Sequence, residues 1–132
     1  LNFNMSTWEE SKIYPQSFIV VDLNNVSYIN DNYGHEEGDK LIIKAASILV
    51  NTQLENSEIM RTDGNEFLIY LVGYSEKQID TYCKKLTKEF KNLPHGFGAA
   101  VGYSIITDDI KTIDDAINEA SLDMKTKKEE LR

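Results

Sequence analysis

Unbroken apolar runs alternate with helically spaced apolar positions in the first half of this chain. Residues 17–23 (SFIVVDL) form a continuous apolar run that carries Asp22 near its end, the pattern of a strand buried on both faces. The apolar residues of 26–33 recur at helical spacing and predict a short helix, which Gly34 ends. Apolar residues at i, i+3 and i+4 then predict a longer helix that starts at about Glu36.

The second half of the chain predicts a hairpin, two helices and a further strand. Residues 59–61 and 66–72 read as strands joined by Thr62-Asp63-Gly64-Asn65, because glycine accepts the positive φ that tight hairpin turns require. Ser75 is a suitable N-cap for a helix over 75–93. The remaining predicted elements are a strand over 97–106 and a helix from 113 to about 128.

The order β-α-α-β-β-α-β-α predicts an α/β fold, in which helices flank a central mixed sheet that includes an antiparallel hairpin. A length of 132 residues predicts a single domain. Residues 1–16 show no clear period and are interpreted as an N-terminal remnant or linker, which leaves 17–132 as that domain. Ligands of such sheets sit beyond the strand ends, so Asp22 and the hairpin tip are the first places to look for chemistry.

Composition narrows the classes of partner. Apolar residues make up 41% of the chain and charged residues 27%, as in globular domains. The 14 basic and 22 acidic residues give a formal net charge of 14 − 22 = −8. This net charge argues against binding to nucleic acid or anionic membranes, but not against binding to a nucleotide. No apolar run is long enough to insert in a membrane, and the lone Cys83 excludes an internal disulfide. A cytoplasmic location is the expectation.

The first candidate site combines Asp22, Asn30 and Asp39. An aspartate at the end of a buried strand is a natural Mg²⁺ ligand, although it could equally cap the next helix. Asn30 and Asp39 offer an amide and a carboxylate that could together bind the edge of a guanine base. Taken alone, the Asn-Asp and Gly-Asp pairs are more often turns and helix caps.

The second candidate site is the hairpin tip, Arg61-Thr62-Asp63-Gly64-Asn65-Glu66-Phe67. Its acidic side chains could share a metal ion with Asp22 if the hairpin pairs beside the first strand. For an isolated hairpin, an ordinary Asp-Gly turn with exposed charges explains the same residues.

The order and spacing of these two motifs resemble the GGDEF domains of the diguanylate cyclase family. DLNNVSYINDNYGHEEGD is similar to the family pattern D-x-D-x-F-K-x-x-N-D-x-x-G-H-x-x-G-D, and RTDGNEF stands where the family has R-x-G-G-(D/E)-E-F. The resemblance covers about residues 17 to 128. It implies a nucleotide-cyclase-like fold in which the hairpin carries the signature loop, and a place in bacterial cyclic di-GMP signalling.

The resemblance also implies roles for individual residues. Asp22 and the backbone carbonyl of Leu23 match the metal-binding positions, with Mg²⁺ expected only when a nucleotide is bound. Asn30 and Asp39 match the residues that recognise guanine. The resemblance further implies that Lys125 of the last helix binds phosphate. It implies that Glu66 is another metal ligand if the domain is active.

Several departures from the family pattern lie at positions that the family uses for catalysis and phosphate binding. Asp63 replaces the first glycine of the signature loop, and Asn65 replaces its third-position acid, which the family needs for cyclase activity. An amide brings no charge and cannot act as a base, so no catalytic residue is assigned. Ser27 stands in place of a lysine and Glu129 in place of a second cation. The family's product-inhibition motif, R-x-x-D, reads Leu-Glu-Asn-Ser at 54–57.

The leading hypothesis is a degenerate GGDEF domain that makes no cyclic di-GMP and regulates a larger protein. Such a module would bind a guanine nucleotide such as GTP, or a protein, and act on a fused sensory or effector domain. One alternative is an active diguanylate cyclase in which two domains meet and condense two GTP molecules. Another is a purely structural domain that forms a homodimer.

Overall fold

A computed structural model describes residues 14–108 and 111–130, so most of the predicted remnant or linker lies outside the described residues. The domain boundary therefore stays a prediction. No helix within the described ranges is both long and apolar enough to span a membrane. The elements, in chain order, are β1 (Gln16–Leu23), α1 (Val26–Tyr33), α2 (His35–Asn51), β2 (Ser57–Asp63), β3 (Glu66–Val72), α3 (Glu76–Phe90), a 3₁₀ turn (Pro94–Gly96), β4 (Ala99–Ile106) and α4 (Ile113–Glu130).

Local signals set most of these boundaries. Gly34 has φ 95°, a value that favours glycine, and it separates α1 from α2. Ser75 caps α3 as predicted: its hydroxyl accepts a hydrogen bond from the Gln78 N–H, and the Gln78 side chain accepts one from the Ser75 N–H. The helix ends at Phe90, earlier than predicted, and the chain then turns through Pro94.

The four strands form one sheet in the order β2-β3-β1-β4, and every neighbouring pair is antiparallel. The α/β class and the flanking helices are confirmed, but the prediction of a mixed sheet is wrong. The helices α1 and α2 connect β1 to β2, which runs in the same direction, and α3 connects β3 to β4, which also run in the same direction. Each such pair is separated by one strand that runs the other way, so no parallel neighbours result.

The sheet is covered on both faces, and β1 contributes to two cores. Ile19, Val21 and Leu23 pack in one cluster with residues of α1, α2 and α3. Phe18 and Val20 face the other way, into a smaller cluster with apolar residues of α4. The prediction that this run forms a strand buried on both faces is confirmed. Asp22 follows Val20 on the face that α4 covers.

Candidate functional site

The two candidate sites found in the sequence meet at the end of β1. Asp22 is the register partner of Glu66 at the start of β3. The Leu23 N–H donates a hydrogen bond of 2.9 Å to the Asn65 carbonyl oxygen. The signature hairpin therefore lies beside the expected metal-binding aspartate, and the pairing of β1 with β3 holds it there.

The Asn65 side chain lies against both expected metal-binding groups. Its Nδ2 donates to Asp22 Oδ1 at 2.7 Å and lies 3.4 Å from the Leu23 carbonyl oxygen. The position at which the family has an acid is thus filled by a hydrogen-bond donor. This contact joins residues 43 positions apart, and the sequence alone does not specify it.

A lysine that the sequence analysis did not single out completes the surroundings of Asp22. Lys128 Nζ lies 2.7 Å from Asp22 Oδ2, in an ion pair whose side chains are 31% and 14% exposed. Lys128 follows Lys125 by three residues on α4, so the two share a helix face. That spacing is the only sequence signal, because the partner lies 106 residues away.

This donor set does not fit a divalent cation as it is arranged. Mg²⁺ binds oxygen lone pairs, whereas both Asp22 oxygens accept hydrogen bonds from nitrogen donors and the Leu23 carbonyl faces the Asn65 amide nitrogen. Within 14–108 and 111–130, no group of three or more His, Cys, Asp or Glu side chains is placed to hold a metal ion. The Mg²⁺ expectation itself stays untested.

Glu66 is the titratable group of the site whose environment is most clearly perturbed. Partial burial raises the pKa of Glu66 above its ordinary value of 4.5, and the nearby charges of Asp22 and Asp63 raise it further. The charge of Lys125 opposes this shift, which places that exposed lysine in electrostatic reach of the hairpin. Asp63 Oδ1 accepts a 2.7 Å hydrogen bond from the Gly64 N–H within the turn.

Glu66→Gln is expected to stabilise the domain at neutral pH. A carboxyl whose folded-state pKa is raised lowers stability above that pKa, and the penalty disappears below the unfolded value of 4.5. We expect a gain of about 0.5 kcal/mol at pH 7, small because the group is largely solvated, and no gain near pH 3. Urea unfolding at both pH values measures this, with exposed Glu55→Gln as control. A gain that is equal at both pH values would contradict the electrostatic cause.

The expected guanine-recognising residues lie at the contact between α1 and α2. Asn30 packs on Gly38, where an added Cβ would overlap its amide, and Asp39 follows directly on α2. The Asn30 Oδ1 atom is buried and has no hydrogen-bond partner, while Asp39 is exposed. The absence of a side chain at Gly38 therefore makes room for the Asn30 amide, and the roles of Asn30 and Asp39 in recognising guanine stay predictions.

A cavity of about 510 Å³ adjoins the Asp22 site on the side of β4. The Asn24 Nδ2 donates to the Phe97 carbonyl oxygen at 3.0 Å, while its Oδ1 is buried without a partner. Lys91 and Lys128 are the basic residues of the lining. The sequence analysis assigned no role to Lys91 or Asn24, and Asn30 and Asp39 do not line this cavity.

The family described as "Diguanylate cyclase, GGDEF domain" matches residues 2–132. Diguanylate cyclase DgcN of Escherichia coli K12 is 34% identical over 79 residues, which cover 59% of this chain and 19% of that protein. Diguanylate cyclase DgcP of the same organism is 27% identical over 116 residues, covering 82% and 34%.

A solved structure shows the same fold. The active GGEEF domain of a diguanylate cyclase from Vibrio cholerae matches with a TM-score of 0.84 and 20% identity, covering 96% of this chain and 84% of that one. The chain thus spans most of that solved domain. It spans only about a fifth to a third of the two curated cyclases.

Proposed function

This chain belongs to the GGDEF, diguanylate cyclase, domain family, and from that premise we propose that it is a signalling domain that binds a guanine nucleotide without making cyclic di-GMP. In this proposal it reports nucleotide occupancy to a fused sensory or effector domain, or to a protein partner. The proposal separates two properties of the family: recognition of the base, which this chain retains, and chemistry at the phosphates, which it has lost.

The observation that carries the proposal is the hydrogen bond from Asn65 Nδ2 to Asp22 Oδ1. Cyclisation requires attack of a ribose 3′-hydroxyl on an α-phosphate and stabilisation of the charge that develops there. An amide at position 65 supplies neither a negative ligand nor a base. Asp63 adds a negative charge to the same loop, which is unfavourable close to a triphosphate.

Retention of the base-recognising pair supports nucleotide binding. A carboxylate such as Asp39 accepts hydrogen bonds from the guanine ring N–H and exocyclic amine, and the Asn30 amide can both donate and accept. The Asn30 Oδ1 atom is buried without a partner, so a donor from a ligand would satisfy an acceptor that the described part of the chain leaves unpaired. Lys125, exposed on α4, is the proposed phosphate contact.

Two other functions compete with this proposal. In an active diguanylate cyclase, Mg²⁺ would be held by Asp22, the Leu23 carbonyl and Glu66, and two GTP-bound copies would meet. The closeness of Glu66 to Asp22 in the β1–β3 register favours that reading. A structural, homodimer-forming domain would use neither Asn30 nor Asp39 and would bind no nucleotide.

Calorimetric titration of GTP, followed by chromatography of the products, tests the proposal. We expect saturable GTP binding, at least about tenfold weaker ATP binding because adenine lacks the matching donors, and no cyclic di-GMP. Each titration is repeated with Mg²⁺ and with EDTA. Cyclic di-GMP in the product mixture would overturn the proposal in favour of the active enzyme. Absence of GTP binding would overturn it in favour of the structural domain.

A further inference from the structure

The negative charge of Asp22 is paired without a metal ion. An acid at position 65 together with Asp22 would carry two negative charges, which a divalent cation neutralises. Here residue 65 is a neutral amide, and the single charge of Asp22 is matched by the single charge of Lys128 at 2.7 Å. The neutral amide at position 65 and the ammonium of Lys128 therefore both reduce the negative charge that a cation would otherwise offset.

Each oxygen of the Asp22 carboxylate faces a nitrogen donor of this chain. Asn65 Nδ2 contacts Oδ1 and Lys128 Nζ contacts Oδ2, both at 2.7 Å. Rotating the Asn65 amide to offer its oxygen would place two acceptors against each other, which costs free energy unless a cation already lies between them. A divalent ion at Asp22 would meet the positive charge of the Lys128 ammonium and the positive end of the Asn65 amide N–H, both of which oppose its binding.

The neighbouring Lys127 has different partners from Lys128. Lys127 Nζ pairs with Asp123 on the same helix at 3.1 Å and lies 5.2 Å from the centre of the Tyr103 ring. Its ammonium is thus directed to Asp123 and Tyr103, although it is adjacent to Lys128 in the chain. Lys127 is therefore a matched control for charge and position on α4.

We infer that the Asn65 amide and the Lys128 ammonium take the place of a divalent cation at Asp22, so that the charge of this carboxylate is neutralised from within the chain. The consequence for ligand binding rests on the proposed function: a guanine nucleotide binds here without requiring a divalent ion. Lys128 is in this sense a positioning residue, which acts on the site through Asp22.

Binding of Mn²⁺, followed by the electron paramagnetic resonance signal of the free ion, tests the inference in the absence of nucleotide. We expect no binding to the unaltered chain below about 1 mM, the weak end of carboxylate sites, and at least about tenfold tighter binding to the Asn65→Asp/Lys128→Met variant. The control Asn65→Asp/Lys127→Met keeps Lys128 and is expected to bind more weakly than that variant.

Two results would overturn the inference. One is Mn²⁺ binding to the unaltered chain below about 1 mM that Asp22→Asn removes, a measurement that needs no double variant. The other is failure of a folded Asn65→Asp/Lys128→Met variant, checked by circular dichroism, to gain binding. A GTP titration that shows no binding contradicts the proposed function and leaves the Mn²⁺ result standing, so the two failures are distinguishable.

Discussion

Replacing Gly102 by valine is expected to lower the free energy of unfolding by at least about 4 kcal/mol, a large part of the roughly 5–15 kcal/mol that stabilises a typical domain. Gly102 lies in β4, where α4 crosses the sheet. A Cβ at this position would lie 2.6 Å from both the Ala120 carbonyl oxygen and the Met124 Cα, and closer still to the Met124 backbone nitrogen.

The size of this effect follows from the kind of atom that blocks the site. A flexible side chain could move aside, but the backbone of a helix moves only as a unit. Shifting α4 outward would expose Ala116, Ala120 and Met124, which are buried against β1 and β4. It would also pull Lys128 away from Asp22, so the substitution weakens the fold and the site together.

Urea unfolding followed by circular dichroism measures the loss, and Gly64→Ala is the matched control. An added Cβ at Gly64 meets nothing within 4 Å, so we expect a change below about 0.5 kcal/mol there. A Gly102→Val domain as stable as the unaltered one would show that α4 does not pack on β4 as described.

Removing the Asp39 carboxylate is expected to reduce GTP affinity about 10- to 100-fold, because a hydrogen bond to a charged acceptor contributes roughly 1.5–3 kcal/mol. This prediction rests on the proposed function. Asp39 is exposed, so Asp39→Ala is expected to leave the thermal midpoint of unfolding nearly unchanged. The affinity for ATP should change little, since adenine lacks the adjacent ring N–H and exocyclic amine that guanine offers to this carboxylate.

Calorimetry on Asp39→Ala and on Asp31→Ala separates base recognition from general electrostatics. Asp31 is an exposed aspartate on α1, next to Asn30, and its removal changes the net charge by the same amount. Equal losses of GTP affinity in the two variants would mean that charge, and not guanine recognition, governs binding. A loss confined to Asp39→Ala supports the recognition of the base.

The elements of this fold could be predicted from the sequence because their causes are local. The apolar run of β1, the break at Gly34 and the cap at Ser75 each depend on hydrogen bonds and burial patterns within a few residues. The order and spacing of the two motifs also identified the family. Asn30, Asp39 and the altered hairpin at 63–65 were found in this way, and their functional roles remain predictions.

Only the tertiary structure decided which strands are neighbours and what surrounds Asp22. Crossover helices predict parallel strands, but an opposing strand separates each parallel pair, and that order depends on packing between distant elements. Lys128 likewise reads in the sequence as one of several lysines at a solvated helix end. It reaches Asp22, 106 residues away, because α4 crosses β4 at Gly102 and brings its last turns over the end of β1. The sequence by itself determined the elements and the family, whose causes lie close together in the chain, whereas the partners of Asp22 were decided by packing between elements that are far apart in it.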